Sequence, residues 1–259
     1  MVFLKKITIV GAGPGDPELI TLKGKKAIED ADVLIYAGSL VNKEVLKYNK
    51  KNAKIYNSAT MNLGEIIEVI VEALKKNLKV VRVHTGDPSI YGAIKEQIDE
   101  LKKYNIDVDI IPGVTSLFAA ASSLKVELTL PKVSQTVIIT RPEGRTPKPE
   151  SESLKDLSKH GATMAIYLGV GMIDKVVGDL IEGGYKRDTP VAVVYHASWN
   201  DEKIIKGTLE NIRDKVKEEG IKKTALIIVG DVLNPKYYEY SKLYDKNFET
   251  EFRKVKKNK

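Results

Sequence analysis

The chain has no cysteine among its 259 residues. That excludes disulfides, thiolate metal sites and cysteine nucleophiles, and says nothing direct about the compartment. Its three histidines are scattered, so no protein-bound metal is expected. Tryptophan occurs once, at Trp199, and no stretch interleaves aromatic with basic residues as a single-strand nucleic-acid platform would. No apolar run approaches the ~20 residues that a membrane-spanning helix needs. The opening MVFLKKITIVGAG reads as a first strand and not as a signal peptide, because its apolar run is too short and no small-residue cleavage site follows. A cytoplasmic protein with no membrane partner is the expectation.

What is present fits a soluble globular chain with room for one large domain or two small ones. Hydrophobic residues make up 42%, and the formal net charge is +7. Much of that charge lies in a basic tail, taken as residues 241–259. After Asn247, Arg253, Lys254, Lys256, Lys257 and Lys259 oppose only Glu249 and Glu251. The tail reads more simply as a solvated end than as an arm for nucleic acid, and no nucleic-acid partner is expected. Without it the weakly basic remainder suits a polyanionic small molecule as well as it suits RNA. The abundance of lysine and glutamate without cysteine would suit a heat-loving source.

Short β-branched runs alternate with helical spacing through the first half. The pattern predicts strands at 7–10, 33–36, 54–56, 80–84 and 108–111, with helices near 22–30, 43–48, 63–76 and 93–104. Such alternation implies crossover connections and a mostly parallel sheet. Asn62 with Glu65 three residues on is a capping box for the third helix. Arg82 stands out as a charge in a buried strand. The second half changes texture. A helix near 116–124 precedes apolar runs at 136–140, 164–168, 191–195, 203–209 and 225–229, with helices near 172–182 and 209–219. Residues 195–202 read as a turn between adjacent strands, which implies a mixed sheet with antiparallel pairs. The expected organisation is an N-terminal α/β domain over 1–112 and a C-terminal one over 113–240, hinged near Pro112-Gly113. The one long polar loop is 141–153.

Two glycine-rich loops follow strands. The first, Gly11-Ala12-Gly13-Pro14-Gly15-Asp16-Pro17, is no dinucleotide fingerprint. Asp16 stands where a third glycine belongs, its carboxylate would repel a pyrophosphate, and Pro14 and Pro17 lack N–H groups. No Gly-Lys-Ser/Thr follows to make a phosphate loop. The second is Thr85-Gly86-Asp87-Pro88-Ser89-Ile90-Tyr91-Gly92. Asp87 can accept from ribose hydroxyls or an ammonium, although an Asp-Pro turn start is an equal reading on local grounds. A ligand with a ribose and a positive charge but no phosphate fits both loops, and S-adenosylmethionine is such a ligand.

These loops occur in order with Pro112-Gly113-Val114-Thr115-Ser116, Ala165-Ile166-Tyr167-Leu168-Gly169 and Thr224-Ala225-Leu226-Ile227-Ile228-Val229-Gly230. The series resembles the tetrapyrrole methylases, the class III S-adenosylmethionine-dependent methyltransferases, over roughly residues 5–232. Residues 36–41, 84–92, 140–147 and 195–202 are similar to those of members that methylate C-11 of precorrin-4 or cobalt-precorrin-4 on the way to cobalamin. The resemblance implies two αβα domains with the cofactor in the cleft between them, and a homodimer. It implies S-adenosylmethionine as methyl donor, with contacts at Pro14, Thr85, Gly86, Asp87, Ile90, Thr115, Ser116, Leu168, Ala197 and Thr224. Relatives often carry Thr-Ala where this chain has Thr115-Ser116. Another precorrin or uroporphyrinogen III remains an alternative substrate within the family.

An anionic tetrapyrrole carries acetate and propionate carboxylates, which arginine forks match. Arg141 and Arg145, on the long loop, are the candidate substrate contacts, with Lys132 and Lys148 nearby. Methyl transfer from a sulfonium needs alignment more than acid–base help, and no catalytic residue is assigned. His84, His196, Tyr91 and Tyr195 are available as bases but read more simply as packing or orienting groups.

Overall fold

A computed structural model describes residues 5–245 and 247–254. Of the basic tail, Lys256, Lys257 and Lys259 lie outside the described residues. The chain divides into two compact units, Met1–Ser123 with His196–Glu202, and Leu124–Tyr195 with Lys203–Lys259. No helix among the described residues is long and apolar enough to cross a membrane.

The first unit is a five-stranded sheet of β1 (Lys5–Gly11), β2 (Val33–Tyr36), β3 (Lys54–Asn57), β4 (Val80–His84) and β5 (Ile106–Ile111), in the order β3-β2-β4-β1-β5. Every pairing is parallel. Its helices are α1 (Leu22–Asp30), α2 (Leu63–Lys75), α3 (Ile94–Lys103) and α4 (Ser116–Leu124). Strand alternation sorts the core onto two faces. Val10, Leu34, Val81 and Val83 pack with Ile28 of α1. Ile7, Ile9, Ile35 and Val80 pack with Ile66, Ile70 and Leu74 of α2 and Leu101 of α3. The capping box opens α2 as expected. Asn62 Oδ1 accepts from Glu65 N at 3.1 Å and Glu65 Oε2 accepts from Asn62 N at 2.7 Å.

The second unit is a mixed sheet of β6 (Val137–Thr140), β7 (Thr163–Ile166), β8 (Pro190–Tyr195), β9 (Lys203–Thr208) and β10 (Ala225–Val229), ordered β6-β7-β10-β8-β9. β6 and β7 are parallel and the other pairs antiparallel. Met164, Ile166, Val193 and Ile227 form its core with Val176 and Leu180 of α6 (Ile173–Glu182) and Ile212 and Val216 of α7 (Ile212–Glu218).

The expected helix at 43–48 is present as a 3-10 helix, Lys43–Tyr48. The structure differs from the sequence reading in two other places. A short helix, α5 (Leu154–Ser158), directly follows the long polar loop, capped by Ser153 Oγ on Asp156 N. The division between units falls after Ser123, one helix beyond Pro112-Gly113. Gly113 N–H donates to Asp87 Oδ2 at 2.9 Å, which ties the approach to α4 to the first sheet.

Candidate functional site

In the first unit the loops after β1, β4 and β5 meet backbone to backbone. β1 pairs with both β4 and β5, so all three loops leave at one edge, beyond the carboxyl ends of parallel strands where ligands bind. Gly13 and Gly86 form a bridge, with Gly86 N donating to Gly13 O at 2.8 Å. A Cβ on Gly113 would lie 2.2 Å from Gly86 O, and one on Gly11 would lie 2.6 Å from the same oxygen. Only residues without a side chain permit this approach. Asp87 locks the assembly, its Oδ1 accepting from Ser89 N at 2.8 Å and its Oδ2 from Gly113 N. Burial pushes its carboxyl up, but the N–H groups of Gly113 and Ser89 outweigh this and hold it below the usual carboxylate range. Asp87 is therefore an anion at neutral pH. Each oxygen keeps a further lone pair for a ligand. The same loop holds Tyr91 and Ala93 in the left-handed region, at φ 54° and 49°, and such strain gathers at functional sites.

A second clamp joins the first glycine loop to residues 196–202. Trp199 Nε1 donates to Pro14 O at 3.0 Å, and Asp16 N donates to Ser198 Oγ at 3.0 Å. Asn42 Nδ2 donates to Gly15 O at 2.8 Å from the other side. The indole lies over Gly15 so closely that a Cβ there would fall 1.9 Å from Trp199 Cδ1. His196 stacks on Trp199 with centroids 4.7 Å apart, and its Nδ1 lies 2.9 and 3.0 Å from the two oxygens of Asp201. Buried Ala197 is flanked by left-handed His196 and Ser198, at φ 48° and 69°.

His84 and Arg82 are buried titratable groups of β4. Arg82 is 4% exposed and donates from Nε to Gln97 Oε1 at 3.3 Å and from Nη1 to Ile35 O and Val83 O at 3.2 Å. Burial lowers its pKa to about 10. His84 is 5% exposed and its Nε2 is buried without a partner. Burial, with the nearby Arg82 charge, pushes its imidazole down to about 3. His84 is therefore neutral near neutral pH.

In the second unit the candidate residues gather at one edge of the mixed sheet. β10 runs antiparallel to β7, with Ile227 opposite Ile166, and β6 runs parallel to β7, with Thr140 opposite Ile166. The residue before β10 (Thr224), those after β7 (Tyr167, Leu168) and the one after β6 (Arg141) thus share an edge. Tyr167 N donates to Thr140 O at 2.8 Å. Leu168 and Thr224 are both left-handed, at φ 55°. Leu168 is 63% exposed, and the Thr224 hydroxyl is buried without a partner. A β-branched residue at positive φ is a genuine outlier, and a buried hydroxyl without a partner is an uncommon feature of a folded chain.

Eight of the ten positions expected to hold the cofactor fall in the first unit: Pro14, Thr85, Gly86, Asp87, Ile90, Thr115, Ser116 and Ala197. Pro14 O and both Asp87 oxygens already serve to hold the rim together. Arg141 is likewise engaged, giving Nη1 to Pro142 O and Thr146 O and Nη2 to Pro147 O, at 3.0–3.2 Å. It braces its own loop, whereas Arg145 is exposed. Trp199, Asn42 and Gly15 were not singled out as rim residues from the sequence. The signals were the lone tryptophan and the place of Gly15 in the first glycine loop, and the tryptophan's partner Pro14 lies 185 residues away. Chemically, the first unit offers an anionic, glycine-lined rim with prolines where a phosphate would want N–H groups. It suits a cationic nucleoside better than a nucleotide.

Residues 6–213 match the family model described as Tetrapyrrole (Corrin/Porphyrin) Methylases. The chain is 78% identical over 253 residues to a cobalt-precorrin-4 C(11)-methyltransferase of Methanocaldococcus jannaschii, covering 98% of each. Its fold is similar to the X-ray structure of a cobalamin biosynthetic enzyme, cobalt precorrin-4 methyltransferase, with a TM-score of 0.87 and 48% identity, covering 89% of this chain and 96% of that one. It is also similar to a uroporphyrin-III C-methyl transferase from Thermus thermophilus complexed with S-adenosyl homocysteine, with a TM-score of 0.73 and 28% identity, covering 88% and 93%. On the extent of the family match and the identity to its curated members, this chain belongs to the tetrapyrrole methylase family.

Proposed function

We propose that this chain transfers a methyl group from S-adenosylmethionine to C-11 of cobalt-precorrin-4 in cobalamin biosynthesis. The observation that carries the reading is the 78% identity, along 98% of both chains, to a protein of that name. The residues fit the donor on their own chemistry: an ionised Asp87, prolines in place of phosphate-binding N–H groups, and the orphaned Thr224 hydroxyl.

The donor supplies an electrophilic methyl on a sulfonium. The C–S bond breaks as the C–C bond to C-11 forms, the sulfur keeps the electron pair, and the macrocycle loses a proton to balance the charge. The protein's work is to position. Pro14, Thr85, Gly86, Ile90, Thr115, Ser116 and Ala197 would line the donor with main chain and small side chains. Asp87 complements its positive charge. Alignment of this kind can contribute about 7–11 kcal/mol to lowering a barrier. Arg145 would meet a carboxylate of the macrocycle. A homodimer in the cytoplasm belongs to the same reading, and the dimer part is supported by the exposed Ile110 and Phe118 of the first unit. Light scattering that found only monomer would remove that part.

The test is to incubate the purified chain with the donor and enzymatically prepared cobalt-precorrin-4. Mass analysis should show one added methyl, and carbon-13 label from the donor should appear at C-11. Methylation of uroporphyrinogen III with none of cobalt-precorrin-4 would overturn the reading.

A further inference from the structure

The loop that follows β6 holds cations without carboxylate partners. Lys148 Nζ donates to Thr140 Oγ1 at 2.8 Å and to Arg141 O at 2.9 Å. Thr140 is 4% exposed, so the ammonium is drawn towards the sheet edge that also carries Leu168 and Thr224. Desolvation pulls the Lys148 pKa down, and Glu152 and Glu143 offset this only from a distance. Among the described residues, no carboxylate lies within ion-pair distance of Lys148, Arg141 or Arg145. Most lysines that make ion pairs here sit on helix faces or strand ends more than half exposed, such as Lys95 and Lys159. Lys148 is different. It is partly desolvated, its orientation is fixed by two neutral acceptors, and one N–H of three remains. A cation held so, with no anion, is arranged for an anion that arrives with a ligand.

We infer that Lys148 binds a side-chain carboxylate of the macrocycle, with Arg141 as the brace that shapes the loop around it. The inference deepens the proposed function, since it takes the substrate to be a polycarboxylate. Arg141 gives three hydrogen bonds to carbonyls of residues 142, 146 and 147. They close the loop so that the carbonyl of Arg141 faces the ammonium. In the sequence Lys148 stands beside the candidate arginines without being chosen as a contact, because a lysine in a polar loop reads as surface.

The test uses Lys148→Gln, which keeps two donors for Thr140 and Arg141 but loses the charge, together with Lys148→Arg and Lys148→Met. The KM for cobalt-precorrin-4 and the affinity for S-adenosylhomocysteine are measured for each. Loss of a charge-assisted hydrogen bond predicts that Lys148→Gln and Lys148→Met raise KM about tenfold or more. The kcat should stay within about threefold, cofactor affinity should hold, and Lys148→Arg should recover most of the loss. Fluorescence quenching with uroporphyrin III and its octamethyl ester separates charge pairing from loop collapse. The free acid should lose affinity in Lys148→Gln and the ester should not. Equal loss for acid and ester, or an unchanged KM, would overturn the assignment. Failure of the wild-type chain to bind or methylate cobalt-precorrin-4 would instead count against the substrate reading.

Discussion

Replacing Gly15 with alanine tests whether the Trp199 clamp holds the first glycine loop. The added Cβ would lie 1.9 Å from Trp199 Cδ1 and 2.2 Å from Nε1, where ordinary contact begins at 3.4 Å. The indole must therefore retreat by 3.4 − 1.9 = 1.5 Å, or the loop must. A shift of that size breaks the 3.0 Å bond from Nε1 to Pro14 O and disturbs the stack on His196. A lost neutral hydrogen bond costs about 1 kcal/mol, and a lost aromatic pair about 0.5–1.5 kcal/mol. Together they predict about 2 kcal/mol of destabilisation, or a fall in Tm of about 4–8 °C for a chain of this size. The clean assay is a double-mutant cycle by thermal or urea denaturation. Trp199→Ala removes the obstacle, so Gly15→Ala in that background should cost almost nothing, and the coupling should be about 2 kcal/mol. Additive effects, or a Gly15→Ala protein within about 0.5 kcal/mol of wild type, would refute the reasoning.

Three further outcomes are expected. Asn62→Ala removes the side-chain half of the capping box on α2, the Oδ1 that accepts from Glu65 N, while the backbone N–H that donates to Glu65 Oε2 remains, and should cost about 1 kcal/mol by chemical denaturation. His84 is neutral in the folded state with a pKa near 3, against 6.5 unfolded. The unfolded chain therefore binds the proton first, and stability should fall as pH drops below 6.5, by up to about 1.4 kcal/mol per pH unit from this group. His84→Leu should flatten the decline between pH 6.5 and 5, and an unchanged slope would contradict the burial argument. Thr224→Gly relieves a left-handed β-branched residue worth about 1 kcal/mol or more, so Tm should hold or rise. S-adenosylhomocysteine affinity, read by calorimetry, should fall if the orphaned hydroxyl serves the cofactor.

Much of the fold was legible because the period of the apolar residues states which elements form. Ile66, Ile67, Ile70 and Leu74 keep helical spacing and face the sheet. The runs of valine and isoleucine in β2 and β4 are buried on both faces, as a parallel sheet requires. The reading of residues 195–202 as a link between neighbouring strands agrees with the antiparallel pair of β8 and β9. Less was legible where the outcome depends on distant partners. Lys43–Tyr48 has too few apolar residues to choose between helix types, and only Val45 is buried. Nothing near Arg141 in the sequence says that its guanidinium will be taken up by carbonyls five and six residues on. Nothing near Asp87 says that one oxygen will meet Gly113. The motifs marked where loops bend, but not which polar atoms those bends would use up.

The meeting of Gly11, Gly86 and Gly113 has a consequence for how this rim can change. A methyl group at position 11 or 113 would wedge neighbouring main chain apart, so no series of small side-chain steps leads from this rim to a different one. The surface there is written in peptide groups, which every amino acid shares. Variation is left to the residues pointing away, and two chains that differ almost everywhere else would still offer a ligand the same row of carbonyls and N–H groups.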